Sequence, residues 1–496
     1  MSNTIFMKKI IFFFSVTSLL FTAPNFGQSK PEWNSIFSKI NQDVTQHSNA
    51  YNSLKIASET IGHRLTGSDH GQKAEQYTYD LLKSYGFSQV KFQPFEVESW
   101  SRGTLAVSIG NDLTNLKPIK SVSLAHSPVK VDVTLEVVDM GNGLEEDYAT
   151  QPDKVTGKIA LVYLGVLPGS KPGTPTLHRS EKTAIATKHG AKGIIVINTP
   201  PNGILLTGTA SVTGKLIPIP AVCVGKEDGM LLKEQLNKGK LFSHIDMTNH
   251  SDIIKARNVV ATIKGKTIPQ EKVVVGGHLD SWDLATGAMD NGIGSFAVLD
   301  MARTFQTLHL QPARTVEFVM FMGEEQGLLG SRAYVDQSIK DKSIDQIRYM
   351  FNYDMTNDPK GFSTSSEDSR SLFQSIGMIA QKLDTNFKNI LNVGGGLHSD
   401  HQPFMLHGVP TGGGAGGSLP KGAMPCYHAD CDVFSLVDEV GMKNTVRFGA
   451  MLLYGTADAP QIQSKHLNDE ETKAFLLKNN LKEPLQIAGE WHWKDE

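Results

Sequence analysis

The sequence is poor in cysteine, carries no long run of one charge, and has no apolar stretch long enough to cross a bilayer. Each lack closes off a class of protein. Three cysteines in 496 residues, Cys223, Cys426 and Cys431, cannot supply the disulfide framework on which small secreted scaffolds depend. Cys223 lies in the apolar run Ala221-Val222-Cys223-Val224 and reads as a buried, unreactive thiol. Cys426 and Cys431 are near enough to close a small loop in an oxidising compartment. The formal net charge is −3 and there is no basic tract, so nucleic acid is not expected as a partner. The apolar stretch at 10–21 falls well short of the roughly 20 residues that a membrane-spanning helix needs. No internal repeat is visible.

That same stretch is informative for what it is. Lys8 and Lys9 precede it, and Ala23, Pro24 and Gly27 follow. A charged start, a short apolar middle and small residues at a break describe a secretory signal peptide over 1–27. The expected location is secreted or periplasmic, with no transmembrane anchor in the mature chain. With 40 % hydrophobic and 20 % charged residues, the composition is that of a soluble globular protein. The length predicts more than one domain.

Periodicity divides the chain. Residues 30–60 read as helix, 62–68 as a turn-rich loop, and the helical spacing from Gln72 ends at Gly86. Alternating runs at 90–97 and 105–109 read as strands, closing a first segment at 30–122. Arg64, in the loop, reads as a structural arginine. Between 123 and 250 the texture changes to short β-type runs at 131–138, 159–164 and 193–197, one helix at 179–188, and proline-rich turns. That block reads as a β-rich insert, because alternation of strand and helix resumes over 251–460. There, β-type runs at 273–275, 315–322 and 348–353 alternate with helical stripes, which implies a mostly parallel sheet flanked by helices. The glycine run at 412–417 reads as a mobile loop, and 461–496 as a charged tail.

Ligands gather at the carboxyl ends of the strands in such sheets, and the chemistry-bearing residues fall there. Gly277-His278-Leu279-Asp280 follows the first run, with Asp290 beyond it. Glu324 and Glu325 follow the second run and Asp354 the third; His428 lies further on. Two histidines and several carboxylates suit zinc, which takes nitrogen and oxygen ligands, better than magnesium or calcium. An aspartate between two cations can bridge them, and two ions about 3.5–4 Å apart can share a hydroxide and clamp a scissile carbonyl. Neighbouring Glu324 and Glu325 can divide the work, one binding metal while the other moves protons. Asp280 is placed to accept the second N–H of His278.

His278-x-Asp280, Asp290-Asn291-Gly292, Gly323-Glu324-Glu325-x-Gly327, Asn352-Tyr353-Asp354-Met355 and Tyr427-His428 together resemble the five motifs of the M28 family of di-zinc peptidases. The wording of the first two is similar to its carboxypeptidase Q group. The resemblance spans most of 50–455. It implies a three-layer zinc exopeptidase-like α/β fold with a protease-associated domain as the insert, and a hydrolase acting on dipeptides or short peptides. His278 and Asp354 would hold one zinc, Glu325 and His428 the other, and Asp290 would bridge. Glu324 would be the general base, Asp280 the orienter of His278, and Tyr427 a donor to the oxyanion. Ser399 and Asp400 match a segment lining the substrate pocket, with Asp400 set to meet a free amino group. Asn291 stands where the family pattern leads one to expect aspartate. Two other readings use the same scaffold: a non-catalytic receptor-like binder, and a single-zinc transferase resembling glutaminyl cyclases. The complete ligand set argues against the first and His278 against the second. Aminopeptidase, carboxypeptidase and dipeptidase action all stay open, as does a homodimer.

Overall fold

The computed structural model describes residues 30–494, so the signal peptide expected over 1–27 lies outside them. No helix among the described residues is long and apolar enough to cross a membrane. The first strands are β1 (Val90–Gly110), β2 (Lys117–Pro118), β3 (Ser121–Ser123), β4 (Lys130–Asp139), β5 (Ile159–Tyr163), β6 (Gly193–Ile197) and β7 (Ala221–Val224). The rest are β8 (Leu241–Ile263), β9 (Ile268–His278), β10 (Arg314–Phe321), β11 (Ile347–Asn352), β12 (Gly361–Thr364), β13 (Ile390–Val393) and β14 (Thr411–Ala415). They join in one sheet of order β13-β12-β14-β11-β9-β10-β8-β4-β5-β6-β7-β3, with β1 paired to β8 and β2 to β1.

The half of the sheet after β8 is mostly parallel: β9 runs parallel to both β10 and β11, and β11 to β14. Antiparallel pairs β8–β10 and β12–β14 make it mixed. Strand side chains alternate between faces, and both faces are covered. Val273 and Val275 of β9 pack under helices Pro31–His47, Ile293–Thr307 and Glu439–Asp458. Val274 packs under helices Leu329–Lys340 and His401–Leu406 on the other side. These three layers are the expected α/β fold. The insert repeats the scheme: Ala160 and Val162 of β5 meet Ile185 and Ala186 of helix Arg179–Lys188, while Ile159 and Leu161 meet Leu232 of helix Lys226–Leu236.

Strand β8 joins the two halves. Its first part pairs with β4 and its last part with β10, while β1 follows it antiparallel with one irregularity between Arg102 and Leu105. The expected junction at 250/251 therefore falls inside a strand, and the two strands expected at 90–97 and 105–109 are one. Three further differences have local causes. The helix expected over 30–60 is two, because the Ser48 hydroxyl (2.7 Å) and the Asn49 N–H (3.1 Å) donate to Asp300 and break the run. The glycine run expected to be mobile forms β14 between β11 and β12; a Cβ on Gly412 or Gly413 would meet the Ser363 or Asn352 carbonyl oxygen. The tail folds into helices Asp469–Lys478 and Lys482–Ala488, which bury Leu476, Leu485 and Trp493 against Met405.

Candidate metal centre

His278 is the last residue of β9, Glu324 and Glu325 follow the end of β10, and Asp354 follows β11. Parallel neighbours end side by side, so the three strands deliver these groups to one place. Asp290 comes from the turn Ala288–Gly292 that opens helix Ile293–Thr307, and His428 from the loop beyond β14. The Asp290 carboxylate lies between the two imidazoles: Oδ1 is 3.2 Å from His278 Nε2, and Oδ2 is 2.9 Å from His428 Nε2. Asp354 stands 3.4 Å from His278 Nε2, and Glu325 is 3.0 Å from His428 Nε2. Donor atoms of His278, Glu324 and Asp354 lie within 4.8 Å of one another, as do those of His278, Asp290 and Glu325. The first of these groups contains Glu324, so position alone allows Glu324 to be a ligand as well as a base.

The electrostatics are those of a cation site. Four carboxylates surround two histidines, and Glu325 Oε1 is buried without a partner. Burial favours the neutral forms, yet Asp290 stays well below the usual carboxylate range because hydrogen bonds to His278 and His428 outweigh it. Burial likewise works against a charge on His278, but Glu324 and Asp354 hold its pKa well above the ordinary value. Glu324 goes the other way: burial, against the pull of His278, raises it well above the usual range, with Asp354 and Glu325 adding to the rise. Imidazole nitrogen with carboxylate oxygen is a donor set that fits zinc.

Groups far away in sequence hold this arrangement. Arg64 is fully buried and donates to the carbonyl oxygens of Leu279 (2.5 Å), Thr286 (2.6 Å) and Gly287 (2.8 Å), so it clasps the loop between His278 and Asp290. Asp432 accepts from the N–H groups of Met289 (2.7 Å) and Asp290 (3.0 Å). Asn291 Nδ2 donates to the Tyr353 carbonyl (2.8 Å) and Oδ1 accepts from the Met355 N–H (2.9 Å). That amide therefore ties the turn of Asp290 to the segment of Asp354. His428 has a left-handed backbone (φ 55°), a conformation that costs an L-residue about 1–2 kcal/mol. The Thr207 N–H from the insert holds its carbonyl at 2.9 Å, and a Cys426–Cys431 disulfide closes the loop around it. Nothing local in the sequence marks Asp432 or Thr207; Arg64 carried a signal only as a lone cation in a turn.

The remaining site residues fall in different places. Asp280 is buried, and it is its main-chain carbonyl that lies 3.1 Å from His278 Nδ1, with Oδ1 at 3.6 Å. The carboxylate is engaged instead by the Thr66 hydroxyl (3.1 Å) and the Glu324 N–H (3.2 Å). Asp283 lies in the loop after His278 and pairs with Arg102 (2.9 Å). The Ser399 hydroxyl donates to Asp354 Oδ2 at 2.7 Å. Asp400 is fully buried, neither of its oxygens accepts a well-formed hydrogen bond, and it lines neither cavity at the centre. Tyr427 stacks on His428 with ring centres 3.8 Å apart, and burial pushes its phenol up, which keeps the hydroxyl a donor. A cavity of about 580 Å³ opens over His278, Asp290, Glu324, Asp354 and His428, with Tyr427 on its wall. A second, of about 110 Å³, adjoins Glu324, Glu325, Tyr427 and His428 on the side of the insert.

A sequence profile of peptidase family M28 matches residues 258–453, and one of the PA domain matches 133–232. Aminopeptidase YwaD of Bacillus subtilis (strain 168) is 30 % identical over 372 residues, covering 73 % of this chain and 74 % of that protein. Carboxypeptidase Q of Xenopus laevis is 27 % identical over 442 residues, covering 85 % and 89 %. The crystal structure of a peptidase M28 precursor from Shewanella amazonensis SB2B superposes with a TM-score of 0.73 at 21 % identity, covering 88 % of this chain and 99 % of that one.

Proposed function

The chain belongs to peptidase family M28, a hydrolase family, and from that premise we propose that it is an exported di-zinc exopeptidase of dipeptides or short peptides. The observation that carries the reading is the Asp290 carboxylate, with one oxygen facing each histidine. His278 and Asp354 would hold one zinc and Glu325 and His428 the other, with Asp290 bridging. Zinc there supplies the Lewis acidity that makes water nucleophilic near neutral pH and polarises the scissile carbonyl. Glu324, whose main chain is held by Asp280, takes the proton of the attacking water and returns it to the leaving amine. The Tyr427 hydroxyl donates to the oxygen on which negative charge develops. Asp280 fixes the main-chain N–H of Glu324 and, through its own carbonyl, the ring of His278. Ser399 holds the outer oxygen of Asp354. Export rests on the N-terminal residues, and the division into a peptidase domain with an inserted PA domain is part of the same reading.

The test is Glu324→Gln. The variant is expected to retain two zinc ions per chain by elemental analysis while kcat falls by about 10²–10⁴, the usual worth of general acid–base help. Loss of a zinc ion would make Glu324 a ligand; unchanged turnover with both ions bound would sink the mechanism.

A further inference from the structure

The C-terminal tail reaches the metal centre through one carboxylate. Glu490 lies beyond the match to the peptidase profile, which ends at residue 453. Its place is fixed by packing, since Leu485 and Trp493 of the tail are buried against Met405. Gly489 ends helix Lys482–Ala488 in a left-handed conformation (φ 73°), and the Glu490 N–H donates to the Leu485 carbonyl at 2.8 Å. The Glu490 side chain is 16 % exposed and accepts from two partners. Arg332 donates to both carboxylate oxygens, at 2.9 and 3.1 Å, the two-pronged geometry in which a charged pair is strongest and most directional. The buried amide of Gln402 donates to the same two oxygens at 3.2 and 3.3 Å.

Each partner leads on to the centre. Arg332 Nε donates to the carbonyl of Gly327 (3.1 Å), in the turn that carries Glu324 and Glu325. Leu328, which follows, has a left-handed backbone (φ 61°), a conformation that a residue other than glycine keeps only where its surroundings fix it. The planar fork of Arg332 suits this post: its two terminal nitrogens serve Glu490 while Nε serves the turn. On the other branch, Gln402 Oε1 accepts from the His398 N–H (2.8 Å), and the next residue, Ser399, holds Asp354 Oδ2. One carboxylate therefore ties the turn after β10 to the segment that secures the aspartate after β11. We propose that Glu490 is a positioning residue for peptide hydrolysis: through Arg332 and Gln402 it sets Glu324, Glu325 and Asp354 relative to one another. The tail is then part of the centre. The proposal rests on reading the His278–Asp290–His428 centre as the site of peptide hydrolysis.

The experiment uses the full-length, zinc-loaded enzyme and the fastest-cleaved member of a panel of unblocked dipeptides. Glu490→Gln keeps the shape, removes the charge and turns an amide N–H toward the donors of Arg332 and Gln402. Removing an outer support of this kind costs about 10–100-fold in activity or metal affinity, so kcat is expected to fall at least about tenfold while KM stays within about twofold. Competition with a chromophoric chelator should show zinc bound about tenfold more weakly, a readout independent of turnover. Glu490→Asp, with the charge on a shorter stem, should restore part of both. Arg332→Lys can pair with Glu490 and keep the tail docked, but it cannot also hold Gly327. Its kcat and zinc affinity should fall at an unchanged melting temperature, a result that does not need Glu490→Gln to fold. In Glu490→Gln/Arg332→Gln the two losses should fall well short of multiplying, because they share one contact. Wild-type kcat and zinc affinity in folded Glu490→Gln would overturn the proposal, even if the melting temperature dropped, since Glu490 would then be a structural contact only. Losses that multiply in the double variant, or wild-type values in Arg332→Lys, would overturn it as well. A wild type that cleaves no dipeptide would instead defeat the peptidase reading, and the zinc competition would still decide whether Glu490 supports the centre.

Discussion

Replacing Arg64 tests how the centre is held together. The guanidinium reaches three carbonyls, those of Leu279, Thr286 and Gly287, at 2.5–2.8 Å, and it is fully buried. In Arg64→Met the stem is retained and all three carbonyls lose their donor. Each buried carbonyl left unpaired costs about 1–3 kcal/mol, and water entering the vacated space recovers part of that. A net loss of about 5 kcal/mol is expected, a large fraction of the roughly 5–15 kcal/mol that holds a domain folded. Arg64→Lys restores the charge but concentrates it at one point, so it can serve one carbonyl well and not three; less than half the loss should return. Urea unfolding followed by circular dichroism, on zinc-loaded and chelator-treated protein, measures the effect. Zinc competition with a chromophoric chelator measures its reach into the site, since the clasped loop ends at His278 on one side and Asp290 on the other. If Arg64→Met unfolds within about 1 kcal/mol of wild type, the clasp is not what orders the loop.

Two further perturbations probe other parts of the frame. Replacing Cys426 and Cys431 together by serine releases the loop that forces His428 into a left-handed backbone costing about 1–2 kcal/mol; zinc affinity is expected to fall about tenfold with the fold intact, and unchanged affinity would assign the restraint to Thr207 alone. His126 is fully buried in the insert, 2.8 Å from the Thr209 hydroxyl, and burial pushes its pKa down to about 4. A depressed folded-state value means that the unfolded chain takes the proton first, so stability is lost as pH falls from about 6.5 toward 4, by about 2 kcal/mol at pH 5. His126→Asn, which tolerates the positive φ there, should remove that much of the difference in unfolding free energy between pH 7 and pH 5; an identical pH dependence in the variant would exclude His126 as its source.

What could be read from the sequence was what is local. The valine run of β9 and its terminal histidine, or β10 and the glutamates after it, put strand and candidate ligand within a few residues of each other. Parallel order then brings these side chains together without knowledge of any distant contact. The frame behind them was illegible for the opposite reason. Arg64 meets partners more than 200 residues on, and Thr207 meets His428 across the boundary of the insert. The polar middle of β8, Asn249-His250-Ser251-Asp252, looks like a break, yet it is held by pairing with Ser99, Trp100, Ser101 and Arg102 of β1. Asp300 interrupts the first helix from a position no local pattern relates to it. The enclosure of Asp400, which lines neither cavity, was likewise not legible from its place in the chain.

The PA domain is bound into the centre by a chain of polar contacts. Arg102, on β1, donates to Asp283 of the loop after His278 (2.9 and 3.1 Å), to the Ser123 hydroxyl (2.8 Å) and to the Thr207 hydroxyl (2.8 Å). The Thr207 N–H then fixes the carbonyl of His428. One arginine thus relates the loop that carries the first histidine to the segment of the insert that secures the second. Because β8 runs through both halves of the sheet, with β1 paired along it, the insert has little freedom to hinge against the peptidase layers at that seam. A shift of the insert large enough to open the smaller cavity would break the Thr207–His428 contact and disturb the loop that carries His428.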